Sequence, residues 1–467
     1  MVSYIKQNTA DDVYLQASEY DEHEFELYRK SDDELVASMV FNDRGELESF
    51  SSFRDVSGIT GHLPPKEIRA NAEAFIERVR PGLLQSVRFS CMIDFDETYG
   101  LIYDKKEEKF GLFLPHSGVK IDIARDGQVH GFHAKAEEYK VIYPPSIISK
   151  ESAKSIYMET LTLELLISKL DKDMYVNGDG SYRLCYAPVE YVMALEADGS
   201  AETIEAYGGF LETYERLDKR HVSESERWPL IGLNDQYVKI AERISGTERE
   251  EWWSAAEDSI HPLDIDEWVG DSIQLSFDQE TGRLVSVVNN EETRKGAAPI
   301  TEDEARERAL QFLFSLYPQA DEQFTMQTSH PSHHFIADKQ EGEGEGESEY
   351  VFYFQRIHHS IKVDSYVLVI HVGEQSGNIL YLETNEIAET LWKTAPFEPA
   401  ISQEEAKAII CSKLEMERGF KLEYGEEGPA YHVTYLPAFP KTVGHIRLID
   451  ALTGEAFYVK TGLMEEA

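Results

Sequence analysis

The residues best suited to chemistry are six histidines that lie between positions 330 and 371. They are His330, His333, His334, His358, His359 and His371, six of the fifteen histidines in the chain. Neutral imidazole is a good ligand for zinc, copper and nickel. If the segments "HPSHHF" and "RIHHS" paired across a sheet, their rings would meet. A metal-dependent hydrolase that uses this stretch is therefore one function to consider.

The spacing of these histidines favours a different interpretation. His330 and His333 are three residues apart, but the pattern around them predicts no helix that would place them on one face. His358 and His359 are consecutive, and consecutive residues on a strand point to opposite faces. We therefore expect surface histidines without a shared role, no stoichiometric metal and no cofactor.

Tryptophans form the second group of interest. The stretch from residue 208 to 270 interrupts the repeating pattern described below, and it contains Trp228, Trp252, Trp253 and Trp268. A helix is predicted around residues 234–256, and Trp252 and Trp253 cannot both face inward from one side of it. Tryptophan is frequent among the residues that dominate binding at protein interfaces. Packing against the core and a partner surface made by Trp228, Trp252 and Trp253 both remain open.

Motifs of established enzyme chemistry are absent from the sequence. It has no G-x-S-x-G nucleophile elbow, no H-E-x-x-H zinc motif and no G-x-x-x-x-G-K-[ST] phosphate loop. The run "EGEGEGE" is acidic and would repel phosphate. The sequence therefore predicts a protein without enzymatic turnover, and it indicates no catalytic residue.

The net charge of −42 narrows the class of partner. Proteins that bind nucleic acid or anionic membranes neutralise phosphates with lysine and arginine, so we expect neither kind of partner. The charge is compatible with cationic partners, although solubility alone would account for it.

Location is predicted from three further features. No stretch reaches the roughly 18 apolar residues of a membrane span. The first residues show no basic segment followed by an apolar run, so no signal peptide is predicted. Cys91, Cys185 and Cys411 are sparse and far apart, which is typical of reduced thiols. A cytoplasmic protein is expected.

Six hairpin turns recur along the chain and would position any site. Each joins two apolar runs through an Asp/Asn-x-x-Gly-like turn, as in "SFDQETGRLVSV" and "LIDALTGEAFYV". Asp or Asn opens such a turn by bonding its own backbone, and glycine takes the positive φ that closes it. The turn glycines, which recur every 72 to 95 residues, are Gly45, Gly127, Gly199, Gly282, Gly377 and Gly454.

An amphipathic helix precedes four of these hairpins. Apolar residues recur at helical spacing in residues 63–81, 147–166, 299–318 and 400–419. Thr301 with Glu304, and Ser402 with Glu405, have the spacing of a capping box. The repeating unit is therefore predicted to be one helix lying across a small antiparallel sheet, which is an α+β arrangement.

These motifs resemble a known family. The helix starts "TEDEA" and "SQEEA", the following strands and the D-x-x-T-G-x-V-like hairpin are similar to the PepSY-like units of the YcdB/YcdC repeat proteins of Bacillus-type bacteria. The resemblance is strongest at residues 299–386 and 399–460. It implies an α+β fold of tandem PepSY-like units. Related units occur in propeptides of thermolysin-type metalloproteases and in spore-germination proteins, which implies an inhibitory, chaperone-like or localising role.

Domain organisation and function follow from this pattern. We predict four regions: an N-terminal α+β region with two hairpin units (1–143), a YcdB/YcdC-like region with an insertion at 208–270 (144–297), a PepSY-like unit (298–397) and a C-terminal PepSY-like unit (398–467). Small sheets leave edge strands whose unpaired amides and carbonyls can bind an extended peptide. The sequence therefore favours a non-catalytic binding or regulatory protein with a protein or peptide partner, and a peptidase is one candidate.

Overall fold

The fold is known from a computed structural model. It describes residues 12–18, 21, 23–59, 61–134, 138–189, 192–202, 213–255, 272–290, 298–328, 347–384, 389–426 and 428–464. Within these ranges, no helix is both long and apolar enough to cross a bilayer.

Strands are more frequent than helices among the described residues. Strands β1 to β26 are, in chain order, Val13–Ala17, Glu24–Arg29, Leu35–Phe41, Leu47–Ser52, Arg88–Asp94, Thr98–Lys106, Phe113–Ala124, Val129–Ala134, Lys140–Ile142, Leu163–Lys169, Tyr182–Pro188, Ala194–Glu196, Ala201–Glu202, Tyr214–Arg216, Val238–Ser245, Glu248–Ser254, Ile273–Asp278, Leu284–Asn289, Phe324–Gln327, Glu349–His358, Ile361–Gly373, Ile379–Thr384, Glu415–Gly425, Gly428–Ala438, His445–Asp450 and Ala456–Val459. Helices α1 to α8 are Pro65–Val79, Leu83–Ser86, Lys150–Thr160, Arg227–Ile231, Glu302–Leu316, Ala320–Gln323, Glu389–Trp392 and Gln403–Lys413.

Strands β1 to β8 form one antiparallel sheet whose strand order is symmetric about its middle. The order is β1-β2-β3-β4-β8-β7-β6-β5, so two four-stranded meanders join through β4 and β8. Phe50 and Phe132 pair directly at this join, and each lies five residues after its turn glycine. Both are buried and contact Phe75 of α1, with ring centroids 6.3 and 5.7 Å away. Helix α1 therefore packs across the junction of the two meanders.

The same arrangement recurs in strands β15 to β22. Their order is β15-β16-β17-β18-β22-β21-β20-β19, and Val287 of β18 pairs with Leu382 of β22 at the equivalent join. These two residues are fully buried, and each again lies five residues after its turn glycine. Helix α5 contributes Ala305, Ala309, Phe312 and Leu313 to the same core. The longer sheet that contains this arrangement has thirteen strands among the described residues.

Two further segments, residues 144–202 and 398–460, each combine a helix with a glycine hairpin. These two segments exchange strands with each other. In the second arrangement, Tyr350 of β20 pairs with Val372 on the hairpin of its own segment. Tyr186 of β11 pairs instead with Ile449 of β25, and Tyr435 of β24 pairs with Leu195 of β12. The exchange is reciprocal, so residues 144–202 and 398–460 complete each other's sheets.

The predicted α+β fold of tandem PepSY-like units, each with its own small sheet, is wrong. The described strands form three continuous sheets of eight, thirteen and five strands, and helices are few. Hairpin edges that a separate unit would leave open pair with the edges of other hairpins, as β4 does with β8 and β18 with β22. This pairing satisfies backbone amides and carbonyls that would otherwise have no partner, so large sheets replace small ones.

The local elements of the predicted repeat are confirmed. All six turn glycines lie between antiparallel strands and have φ between 66° and 96°. Helices lie in all four predicted stretches. Thr301 and Ser402 accept the amide hydrogens of Glu304 and Glu405, at 3.3 and 3.2 Å, and both capping boxes are complete.

The helix predicted around residues 234–256 is wrong. This segment forms the hairpin β15–β16, with Gly246 at its turn in a left-handed conformation, φ 58°. Arg243 and Glu250 stand directly opposite each other on the two strands, and their charged groups are 2.8 Å apart. Cross-strand pairs of opposite charge favour the hairpin, and a helix would separate them.

Candidate functional site

A pocket of about 440 Å³ lies at the end of the β20–β21 hairpin. Its lining residues come from the hairpin turn, from α6, from the end of α7 and from β14. The lining residues used below are Arg216, Asp321, Glu322, Gln323, Arg356, His358, His359, Ser360, Trp392 and Lys393. This volume falls within the range of pockets that bind small ligands.

The hairpin turn has a strained backbone. His359 and Ser360 have φ values of 49° and 67°, a conformation that two-residue turns normally build from Asn and Gly. Residues with side chains cost on the order of 1–3 kcal/mol each in sparsely populated backbone regions, and such residues cluster at functional sites. The turn brings the rings of His358 and His359 to 4.4 Å, which places two imidazoles at the pocket.

Aromatic rings surround these imidazoles. The ring of His359 stacks on Phe397, with 4.0 Å between centroids and 20° between planes. The ring of His358 meets the buried indole of Trp392 edge to face at 5.5 Å. Burial lowers the pKa of the His358 imidazole below its usual value, and the charges of His359 and Lys393 lower it further. The imidazole of His358 is therefore harder to protonate than a free imidazole.

Arg356 supplies a buried positive charge. Its side chain is 1% exposed, and its Nη1 donates to Oε1 of Gln323 at 2.9 Å. The guanidinium lies 4.7 to 5.6 Å from the ring centroids of Tyr317, Phe324, Tyr366 and Trp392. Such cation–π contacts stabilise a buried guanidinium and restrict its orientation. The pocket therefore has a cationic group whose position is set before any ligand enters.

Two exposed cations and two acids complete the pocket. Arg216 donates from Nη2 to the hydroxyl of Ser360 at 3.3 Å, and Lys393 lies beside Trp392. Asp321 and Glu322 stand on α6. The Oδ1 atom of Asp321 is buried and accepts no hydrogen bond from the described residues. The pocket thus combines cationic donors with one acceptor oxygen that is not used.

The structure does not bring the predicted histidines to one place. His358 and His359 lie at the pocket, whereas His371 stands ten residues along β21 from the turn, roughly 30 Å away at the rise of a strand. Nδ1 of His371 lies 2.6 Å from Oε2 of Glu349. The remaining three, His330, His333 and His334, lie outside the described residues. Among those that are described, no three His, Cys, Asp or Glu side chains are grouped to hold a metal.

The tryptophans proposed as a partner surface are largely occupied by the fold. Trp252 is 4% exposed, which leaves it little surface for a partner. Trp228 and Trp253 are partly buried and pack against the core beneath α5. The indole Nε1 of Trp253 also donates to Glu251 at 3.1 Å. Trp268 lies outside the described residues. The alternation on strand β16, rather than a helix, separates Trp252 from Trp253.

Sequence reasoning missed most residues that define the pocket. Arg216, Asp321, Arg356 and Trp392 come from four separate segments, so no short motif connects them. One signal was available: Arg356 interrupts the apolar strand "YVFYFQRI", and arginine is seldom fully buried without a specific reason.

The two eight-stranded arrangements coincide with a known repeat. The family model described as the YcdB, YcdC repeated domain matches residues 9–136 and 229–386. This chain belongs to the YcdB/YcdC repeat family. The predicted membership of this family is thereby confirmed, but the match includes residues 299–386 and not 399–460, where the motifs also resemble the family. Each matched region spans one eight-stranded arrangement and the helix that packs across its join. The family's repeat therefore contains two glycine hairpins rather than one.

Curated relatives extend over most of the chain. The uncharacterized protein YcdB of Bacillus subtilis strain 168 is 27% identical over 437 residues, which cover 89% of this chain and 86% of the relative. The uncharacterized protein YcdC of the same organism is 25% identical over 399 residues, or 82% of each chain. This YcdB/YcdC-family protein therefore matches its relatives nearly end to end.

Similarity to solved structures is slight. The C-terminal domain of YpeB from Bacillus megaterium aligns at 18% identity with a TM-score of 0.26, over 40% of this chain and 81% of that domain. An uncharacterized protein from Eubacterium rectale aligns at 13% identity with a TM-score of 0.24, over 68% of this chain and all of that one. Scores this low carry no argument about fold or function.

Proposed function

We propose that this YcdB/YcdC-family chain is a non-catalytic binding protein that receives a protein or peptide partner in the pocket at the β20–β21 turn. The observation that carries the proposal is a cavity of about 440 Å³ at which two exposed cations, Arg216 and Lys393, stand in front of the buried Arg356. Arginine is among the residue types that most often dominate binding energy at protein interfaces.

The distribution of charge supports a pocket that selects its ligand. The chain carries a net charge of −42, yet Arg216, Arg356 and Lys393 all line this one cavity. A local positive site on an acidic protein favours a partner that is basic overall and presents one acidic group at the pocket. The acidic surface would attract such a partner electrostatically, and added salt would screen this attraction and shorten its range.

Sheet edges contribute less to this proposal than the pocket does. The edges of β4, β8, β18 and β22 pair with one another and are not available to an extended peptide. Strand β15 lies at one end of the longest sheet and carries the charged side chains of Lys239, Glu242 and Arg243, and charged side chains disfavour the addition of another strand at an edge. Binding by strand addition is therefore the weaker route.

Two finer features belong to the same proposal. A peptidase is one candidate partner, and the protein would then regulate it rather than cleave a substrate itself. A cytoplasmic location agrees with the free thiols of Cys91, Cys185 and Cys411. Fractionation of cells of the native organism would test the location independently of binding.

A peptide array tests the proposed function. The full chain is applied to an array of random hexapeptides with free C termini, at low and high salt. The pocket variant Arg216→Glu/Lys393→Glu reverses two exposed charges at the cavity. Arg44→Glu/Lys66→Glu changes the net charge equally at exposed residues that do not line it. We expect binding by the wild-type chain and the control variant that weakens with salt, and loss of binding by the pocket variant. Equal binding by all three proteins, or none by any of them, would contradict the proposal.

A further inference from the structure

We propose that the pocket at the β20–β21 turn recognises the C-terminal residue of a peptide through its free carboxylate and its amide N–H. This inference rests on the proposed function and names the chemistry of the ligand. Three independent features of the pocket lead to it.

The first feature is the cationic set. Arg216 and Lys393 are exposed at the cavity, and a guanidinium such as that of Arg216 matches the two oxygens of a carboxylate in a bidentate geometry. Arg356 lies behind them. It is 1% exposed and held by Gln323 and aromatic rings, so it contributes a fixed positive charge rather than a direct contact. The pocket is therefore suited to one anionic group.

The second feature is acidic and limits which anion fits. Asp321 and Glu322 line the same cavity and would repel a doubly charged phosphate more strongly than a singly charged carboxylate. The buried Oδ1 of Asp321 accepts no hydrogen bond from the described residues, and a buried acceptor of this kind costs free energy until a donor reaches it. The ligand should therefore carry an N–H donor close to its carboxylate.

The third feature is aromatic. The imidazole rings of His358 and His359 line the cavity and give it flat ring surfaces next to its charged groups. A terminal residue of a peptide presents a carboxylate, an amide N–H and a side chain within a few bonds of each other. A phosphate ester lacks the donor. A free amino acid carries an ammonium group where the peptide has an amide.

Peptides taken from the array test this inference. Each sequence that binds is resynthesised with an N-terminal fluorescein and either a free C-terminal carboxylate or a C-terminal amide, and fluorescence anisotropy measures Kd for the full chain. We expect the acid form to bind about tenfold or more tightly than the amide, because the amide removes a charge-assisted hydrogen bond. Inorganic phosphate and free phenylalanine at the same concentration should displace the acid form poorly.

Variants separate this inference from the proposed function. Glu322→Gln removes one of the two negative charges at the cavity and leaves the acceptor of Asp321 in place, so we expect the acid peptide to bind at least as tightly as it does to wild type while phosphate competes better. Equal Kd values for acid and amide, both weakened by Arg216→Glu/Lys393→Glu, would overturn the carboxylate assignment but leave the pocket as a binding site. Stronger competition by phosphate than by the acid peptide in the wild-type chain would also overturn it. Failure of every peptide to bind would overturn both proposals.

Discussion

The hydroxyl group of Tyr186 donates a hydrogen bond to the main-chain carbonyl of Ile401, 3.0 Å away and 215 residues further along the chain. Ile401 immediately precedes Ser402, the residue that caps helix α8. The bond therefore ties a strand of one helix–hairpin segment to the start of the helix in another. Tyr186 is only 6% exposed and Ile401 is partly buried, so this contact lies at the margin of the core.

The same bond occurs in the reverse direction and also within a single segment. Tyr435 donates to the carbonyl of Ile148, which precedes the cap of α3, at 2.6 Å. Within one segment, Tyr350 donates to Ile300 at 3.1 Å, just before the cap of α5. Equivalent tyrosines thus make equivalent bonds, but two of them cross between residues 144–202 and 398–460. This supports the interpretation of the strand pairing as a reciprocal exchange.

Removal of either crossing hydroxyl should destabilise the protein. We expect Tyr186→Phe and Tyr435→Phe each to lower the free energy of unfolding by about 1 kcal/mol, because a partly buried carbonyl loses its donor. Tyr14→Phe is the matched control, since its hydroxyl meets Asp33 at the surface, and a change of about 0.5 kcal/mol or less is expected there. Urea denaturation followed by tryptophan fluorescence gives these values. Equal effects at all three tyrosines would show that the crossing bonds contribute nothing specific.

Truncation after residue 397 should disrupt a region that is distant in sequence. The truncated chain lacks β25, which pairs with β11, and β24, which pairs with β12. Hydrogen exchange measured by mass spectrometry should show fast exchange in residues 144–202 and retained protection in β1 to β8. Continued protection of 144–202 would mean that these residues fold independently. That outcome would support the separate domains that we predict, with boundaries at 143, 297 and 397.

The reactivity of the Cys185 thiol tests the same exchange of strands between residues 144–202 and 398–460. Cys185 is fully buried and pairs with Asp450 of β25. Burial, helped by the charge of Asp450, raises the pKa of Cys185 to about 12. At pH 8 this thiol should therefore react with an aromatic disulfide reagent only when the protein unfolds. In the chain truncated after residue 397 it should react within minutes, and Cys185→Ala supplies the blank.

Glycine substitutions at two equivalent turns should have unequal effects. Gly45 and Gly127 both have positive φ, so alanine at either position costs about 1–2 kcal/mol from the backbone alone. Space around Gly45 is open, whereas a Cβ at Gly127 would lie 2.5 Å from Asn71 and from Leu63. We expect Gly127→Ala to lower the thermal midpoint further than Gly45→Ala. The reverse order would mean that the contact with α1 can move away at little cost.

Acidification should weaken the fold through His358. Because burial lowers its pKa in the folded protein, the unfolded chain binds this proton more readily. The contribution of His358 to stability is complete above its pKa in the unfolded chain, about 6.5. It is lost as the pH falls through its lower pKa in the folded protein. Denaturation of the wild-type chain and of His358→Gln at pH 7.5 and 5 should show a smaller loss for the variant. An equal loss of stability in both proteins would mean that groups other than His358 account for the pH dependence.

The sequence by itself determined the local elements of this protein. Glycine at positive φ marks the six hairpin turns, and a hydroxyl with a carboxylate three residues on marks the starts of α5 and α8, so these elements can be recognised within a few residues. Local signals can also mislead. Around Trp252 the sequence predicts a helix, whereas the segment forms the hairpin β15–β16. Family membership also followed from these local motifs.

Only the tertiary structure decided how the elements pair. A strand edge carries the same amides and carbonyls whatever its partner, so nothing local indicates that β11 pairs with β25 rather than with β12. The pocket has the same origin: Arg216, Arg356 and Trp392 meet because distant segments converge at one hairpin turn. Nonlocal pairing is selected by the combined burial of all the sheets, a sum over the whole chain that no short motif contains.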